Sequence, residues 1–244
     1  MGIEIYQGDN LDILQMLYDR CERYDLIYID PPFNTGKSQK RGEISYKDKF
    51  ESLTDYLRPR MELAYNLLRF SGTLFFHIDY REVHNCRFML DEIFGKENFV
   101  NEIIWAYDYG GRSKTRWSAK HDNILFYAKD YNLYPFNYDE VKRIPYMAPG
   151  LVGEEKAEKG KPETDVWWNT IVPTNSKENL HYPTQKPEAL LERIIRVVTY
   201  EGDNVLDFFA GSGTTGAVCK RLNRNCTLID NNEKAIEIMK ERLL

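Results

Sequence analysis

Asn204-Val205-Leu206-Asp207-Phe208-Phe209-Ala210-Gly211-Ser212-Gly213-Thr214 reads as a short apolar strand, Val205–Phe208, followed by a loop with glycine at alternate positions and a helix from about Thr214 to Leu222. Glycine lets the backbone approach a ligand closely, and the start of a helix offers unpaired N–H groups. The next strand, Cys226–Ile229, ends at Asp230, where a carboxylate is placed to take the two hydroxyls of a ribose. Together these residues read as a site for a nucleoside-containing cofactor. The spacing is not GxGxxG, although Gly216 falls three beyond Gly213. A plain tight turn, with Asp230 capping the last helix, is the simpler alternative, and Asn231 or Asn232 would cap that helix equally well.

Working outward, strands and amphipathic helices alternate. Ile3–Tyr6 reads as a strand and Leu11–Leu17 as a helix capped by Asp9-Asn10. Tyr24–Ile29 is a strand, Ser52–Phe70 a helix capped by Ser52 or Thr54, and Gly72–Ile78 a strand. Glu82–Phe94 is a helix closing at Gly95, and Phe99–Trp105 and His121–Ala128 are strands. Pro187–Val198 is a helix with proline at its first position, and Asn232–Leu243 an amphipathic terminal helix. This alternation predicts an α/β fold, a doubly wound and mostly parallel sheet in one catalytic domain spanning 1–244. Two stretches break the rhythm. Asn34–Phe50 carries Lys37, Lys40, Arg41, Lys47 and Lys49 and is expected to be a basic loop, mobile without a partner and ordered on binding one. Tyr131–Asn179 holds five prolines, a charged run and Trp167-Trp168, and is expected to be an insertion with the tryptophan pair as its buried anchor.

Among 244 residues, 42% are hydrophobic and 29% charged, which excludes general disorder. No apolar run reaches the roughly 18–20 residues that would cross a bilayer. Met1–Ile5 lacks the basic and apolar regions of a signal peptide. The four cysteines are scattered without a CxxC, a pattern suited to a reducing cytoplasm and to neither a zinc site nor a disulfide framework. The net charge of -5 gives no global attraction for a polyanion, so a nucleic-acid surface would have to be local.

A second constellation, Asp30-Pro31-Pro32-Phe33, follows the Tyr24–Ile29 strand, which must stop at the prolines. Ligands of open α/β sheets bind outside the carboxyl ends of the strands. A carboxylate, a carbonyl fixed by proline and an aromatic ring suit a planar amine: Asp30 and the Pro31 carbonyl accept its two N–H groups while Phe33 stacks on its ring. A Pro-Pro turn capped by Asp is the simpler alternative here too.

At this point the sequence resembles the beta-class DNA amino-methyltransferases, which methylate adenine N6 or cytosine N4 using S-adenosylmethionine. Asp30-Pro31-Pro32-Phe33, continuing Asn34-Thr35-Gly36, resembles their catalytic DPPY/DPPF motif, and Asp207–Thr214 their FxGxG cofactor motif. His181-Tyr182-Pro183-Thr184-Gln185-Lys186-Pro187 resembles their H-P-T-Q-K-P segment with Tyr182 as an extra residue. Gly8-Asp9-Asn10 resembles their GD element. The catalytic motif precedes the cofactor motif, as in that class. The resemblance implies a circularly permuted, Rossmann-like class I methyltransferase fold with target recognition in 131–179. It implies S-adenosylmethionine as cofactor, held by Asp9, Asn10, Asp30, Lys186, the run Asp207, Phe208, Phe209, Ala210, Gly211, Ser212, Gly213, Thr214, and Asp230. Asp in the catalytic motif favours adenine over cytosine. The implied partner is double-stranded DNA, with room for a homodimer and a restriction-modification partner.

Adenine's exocyclic amine is a poor nucleophile because its lone pair is delocalised; accepting both N–H groups localises it, and transfer then needs positioning and electrostatics. Methylation at cytosine C5 requires a cysteine nucleophile, usually after proline, and no cysteine here follows one. Reaching the amine in a duplex requires flipping the base. Asn34, Lys37, Lys40, Arg41, Arg112, Lys114 and Arg116, the last three around Trp117, are the expected DNA contacts, and solvated surface charge is the alternative for each. His77, His84 and His121 have no metal-like spacing and are expected to be structural.

Overall fold

The computed structural model describes residues 2–37, 39–41, 44–46 and 48–244, and for 39–41 and 44–46 the backbone alone. Its strands are β1 (Ile3–Gln7), β2 (Tyr24–Ile29), β3 (Gln39–Arg41), β4 (Ile44–Tyr46), β5 (Leu68–Ile78), β6 (Phe99–Ala106), β7 (His121–Ala128), β8 (Arg143–Ile144), β9 (Lys161–Pro162), β10 (Val166–Trp168), β11 (Asn204–Asp207) and β12 (Asn225–Asp230). The helices are α1 (Asn10–Asp19), α2 (Leu53–Leu67), α3 (Val83–Phe94), α4 (Glu154–Lys159), α5 (Glu188–Val198), α6 (Thr214–Arg221) and α7 (Glu233–Leu243). An eight-stranded sheet runs β1-β12-β11-β2-β5-β7-β6-β10. All neighbours are parallel except where β7 lies between β5 and β6, antiparallel to both. Alternation of strands and helices did not reveal this reversal, because no helix separates β6 from β7.

Successive side chains of a strand face opposite sides of the sheet, and here they feed two cores. Ile27 and Ile29 join α1, α2 and α3 on one face, and Leu26 and Tyr28 join α5, α6 and α7 on the other. Tyr24 joins the first group against strict alternation because the pairing shifts register between Tyr24 and Leu26.

Several boundaries differ from expectation. The α2 helix starts on a Ser52 cap, whose hydroxyl accepts from the Asp55 N–H, and stops at Leu67, not Phe70. Leu68 is already extended and opens β5, so the chain passes from helix to strand without a loop. Pro187 is the N-cap of α5, one residue outside the helix. Within the run 34–50, expected to be a basic loop, β3 and β4 form an antiparallel hairpin; residues 38, 42, 43 and 47 of that run lie outside the described residues. From 131–179, β10 joins the main sheet beside β6. Trp167 packs against the core and under the Arg193 guanidinium, but Trp168 is 70% exposed, so only half of the tryptophan pair is an anchor. Among the described residues no helix is long and apolar enough to cross a membrane.

Candidate functional site

The carboxyl ends of β1, β12, β11 and β2 converge on a cavity of about 320 Å³. It is lined by Gly8–Asn10, Asp30–Phe33, Asp207–Ser212 with Thr214, Asp230–Asn232, and Tyr182 with Thr184–Lys186. The four sequence motifs, spread over more than 200 residues, thus meet in one place.

Glycine conformation shapes one wall. Gly211 and Gly213 take φ of +50° and +73°, which L side chains rarely adopt. A Cβ on Gly211 would stand 3.0 Å from the Tyr182 ring. Gly213 does not line the cavity. A Cβ there would meet Met239 Cγ at 2.7 Å, so this glycine lets α6 start tightly against α7.

Asp230 is not the helix cap; Asn232 is, accepting from Lys234 N–H. Asp230 Oδ2 accepts from Gly211 N–H at 2.9 Å and Oδ1 from Asn232 N–H at 2.8 Å, so one carboxylate ties together two walls. Burial raises its pKa, against those hydrogen bonds.

Asp207 accepts from Phe209 N–H at 3.0 Å and from the Thr215 hydroxyl at 2.5 Å. Burial pushes its pKa up to about 7. A carboxyl raised in the folded state favours folding fully below its unfolded value and loses that contribution as pH rises through about 7. The loss is about 4 kcal/mol across the interval. Asp207→Asn should therefore flatten the fall in unfolding free energy between about pH 4 and 8 seen in the parent; parallel curves for the two proteins would refute it.

On the opposite wall, Asp9 Oδ1 caps α1 by accepting from Leu11 N–H at 2.8 Å, and Asn10 donates to the Phe208 carbonyl at 2.8 Å. Both are clamped by Arg60, whose Nε donates to Asn10 Oδ1 at 2.6 Å and Nη2 to Asp9 Oδ1 at 3.0 Å. Arg60 also lies 3.9 Å over the Tyr56 ring, and Tyr56 lines the cavity. Arg60 and Tyr56 were not anticipated from sequence. The signal was there: Arg60 lies on the stripe of Leu53, Leu57, Met61, Ala64 and Leu67 that α2 buries, where a cation needs a partner.

At the mouth of β2, Asp30 Oδ2 is paired with Lys186 Nζ. Among the described residues, Asp30 Oδ1 is buried without a hydrogen-bond partner. Lys186 Nζ stands 5.1 Å from the Phe33 ring centroid, and its carbonyl accepts from the Thr214 hydroxyl at 3.1 Å. The H-Y-P-T-Q-K-P segment therefore bridges the Asp30 and glycine motifs. Gln185 braces it by accepting from Leu180 N–H and donating to the Glu178 carbonyl, whereas His181 is exposed and outside the cavity lining.

The expected DNA contacts divide. Lys37, Arg112, Lys114 and Arg116 are exposed, Arg112 in an ion pair with Asp108 at 2.6 Å. Asn34 is occupied internally, its amide donating to Glu82 and its oxygen accepting from Phe50 N–H. The side chains of Lys40 and Arg41 lie outside the described residues.

A family model described as DNA methylase matches residues 24–241. The chain belongs to the DNA methylase family. It is 35% identical over 219 residues to the type II methyltransferase M.HpaI of Haemophilus parainfluenzae, covering 90% of this chain and 68% of that one. To the DNA adenine methyltransferase YhdJ of Escherichia coli (strain K12) it is 30% identical over 98% of this chain and 82% of that one. The crystal structure of the M1.HpyAVI-SAM complex aligns over 99% of this chain and 100% of that chain, with a TM-score of 0.67 and 26% identity. The cytosine-N4-specific PvuII DNA methyltransferase aligns at a TM-score of 0.72 with 17% identity, a likeness of fold alone.

This DNA methylase uses S-adenosylmethionine as methyl donor, and the residues present fit that cofactor. Glycine at 211 keeps one wall open, aromatic Tyr56 and Phe209 line others, and acidic Asp30 and Asp230 oppose a cationic, ribose-bearing ligand. The size is also that of a small-molecule pocket.

Proposed function

We propose that the chain methylates the N6 amine of adenine in double-stranded DNA, the base being flipped into the cavity. The observation that carries this reading is Asp30 Oδ1, a buried carboxylate oxygen in the cavity wall that lacks a hydrogen-bond partner among the described residues, next in sequence to Pro31 and within three residues of Phe33. An unpaired buried acceptor is costly, and an amine N–H relieves that cost. S-adenosylmethionine supplies an electrophilic methyl on a sulfonium. Asp30 and the Pro31 carbonyl accept the two amine hydrogens, drawing the nitrogen toward tetrahedral geometry, and Phe33 stacks on the base. Lys186, paired with Oδ2, fixes the carboxylate so that Oδ1 faces the amine. As the amine becomes cationic, the ionised carboxylate stabilises it. Gly211, Ser212, Asp230, Asp9 and Asn10 hold the nucleoside portion of the cofactor. The adenine target is supported by the aspartate of the catalytic motif and by the name of the YhdJ relative. Relatives named as type II methyltransferases support a restriction-modification setting.

The DNA face in this reading is the edge formed by the carboxyl ends of β2, β5, β6 and β10. Lys37, Lys114 and Arg116 project from the segments following β2 and β6. Trp117, 98% exposed, and Trp168 lie on the same edge. Exposed cations at this edge engage phosphates with a steep salt dependence.

The test is methyl-labelled S-adenosylmethionine with unmethylated genomic DNA, digested to nucleosides. Label in the N6-methylated adenine nucleoside is expected. Label at cytosine N4 would move the target base, and no label in DNA with cofactor still bound would overturn the reading.

A further inference from the structure

Directly beneath the catalytic motif a chain of polar side chains crosses the sheet. The Tyr28 hydroxyl, in the cavity lining, is 2.9 Å from His77 Nδ1. His77 Nε2 is 3.2 Å from Asp122 Oδ2, and Asp122 Oδ1 accepts from the Tyr107 hydroxyl at 3.0 Å. His77 is fully buried, with the Trp105 ring edge-on at 5.5 Å and the Phe33 ring at 5.7 Å between centroids. Burial raises the Asp122 pKa, but the His77 hydrogen bond and charge outweigh it and hold the carboxyl below its usual value. His77 Nε2–H donates to the Asp122 carboxylate, which has no proton of its own to offer, and Nδ1 is the ring atom left to pair with the Tyr28 hydroxyl. The Asp122 carboxylate thus gathers His77 from one side and the Tyr107 hydroxyl from the other.

Apolar residues of the same volume would fill this space without the desolvation cost of a buried imidazole-carboxylate pair. The arrangement connects two parts of the proposed reaction. One end fixes Phe33 and Tyr28 in the cavity. The other, Tyr107, is the first residue after β6 and opens the segment bearing Arg112, Lys114 and Arg116. Resting on the adenine reading above, we propose that His77, oriented by Asp122, is a positioning residue. It holds the Phe33 ring at the angle needed to stack on the flipped base, and ties that ring to the base of the DNA-facing 107–120 segment.

The test uses the full chain and a duplex carrying 2-aminopurine, a fluorescent adenine analogue, at the position the parent methylates. His77→Phe keeps the volume and removes both hydrogen bonds. It should lower kcat by on the order of 10²-fold and reduce the flipped-base fluorescence, with cofactor affinity within about twofold of the parent. His77→Gln, which keeps a donor toward Asp122, should recover part of kcat. Asp122→Asn and Tyr107→Phe should lower kcat by successively smaller factors. Should His77→Phe fail to fold, the conservative Asp122→Asn variant decides. Parent-like kcat and fluorescence in His77→Phe or Asp122→Asn would overturn this inference alone, as would losses of kcat that merely follow losses of thermal stability. A parent protein that transfers no methyl to adenine overturns the function reading, and this inference with it.

Discussion

Asp30→Ala is expected to lower single-turnover methyl transfer by roughly 10³-fold or more, equivalent to about 4 kcal/mol of transition-state stabilisation. Cofactor affinity should stay within about fivefold. The carboxylate has two separate tasks: Oδ2 holds Lys186 and Oδ1 is the unpartnered acceptor. Alanine removes both and strands the Lys186 ammonium next to the Phe33 ring. Lys186→Ala alone removes only the first, so its effect should be smaller, about 10- to 100-fold for a loss of positioning. The double variant should be little worse than Asp30→Ala, because the two act as one unit. Measured transfer rates for the three proteins, with cofactor titrations alongside, decide the matter. Normal turnover in Asp30→Ala would remove the catalytic role from this motif altogether.

Asp230→Ala should weaken cofactor binding by about 30- to 150-fold, corresponding to about 2–3 kcal/mol for the loss of a charged hydrogen-bonding group. Both its oxygens already accept backbone N–H groups, from Gly211 and from Asn232. Alanine would leave those two donors unpaired and release the glycine loop from the start of α7, as well as removing the proposed acceptor for the cofactor's ribose. Asp230→Asn keeps one acceptor and should lose less. Calorimetric titration distinguishes the cases. Unchanged affinity in the alanine variant would reduce Asp230 to a brace between loops.

Much of this arrangement was legible from local chemistry. Strand β2 ends where proline removes the ladder donor, and α1 and α2 begin on side chains, Asp9 and Ser52, that accept backbone N–H groups. The meeting of the motifs followed from parallel strands delivering their carboxyl ends to one edge. What escaped was non-local. The reversal of β7 depends on which strands pair across the sheet, a matter of partners that periodicity does not encode. The hairpin of β3 and β4 sits in a charged run without apolar alternation. The clamp of Arg60 on Asp9 and Asn10 spans 50 residues, and the partners of His77 lie 49 and 45 residues away. Isolated in sequence, that histidine carries no spacing that announces its network.

The edge strand β1 has a single neighbour, β12, with Ile3 opposite Cys226 and Gln7 opposite Asp230. During vectorial synthesis β1 emerges well before β12 and waits for more than 200 further residues before its template exists. Slow, long-range closure of this kind is the costly step of such topologies. The Gly8 N–H bonds to the Asp230 carbonyl, so the same closure completes the cavity wall that carries Asp9 and Asn10. A nascent chain paused anywhere before β12 holds the Asp30-Pro31-Pro32-Phe33 motif but no finished pocket. Completion of this cavity wall therefore requires a chain made through Asp230.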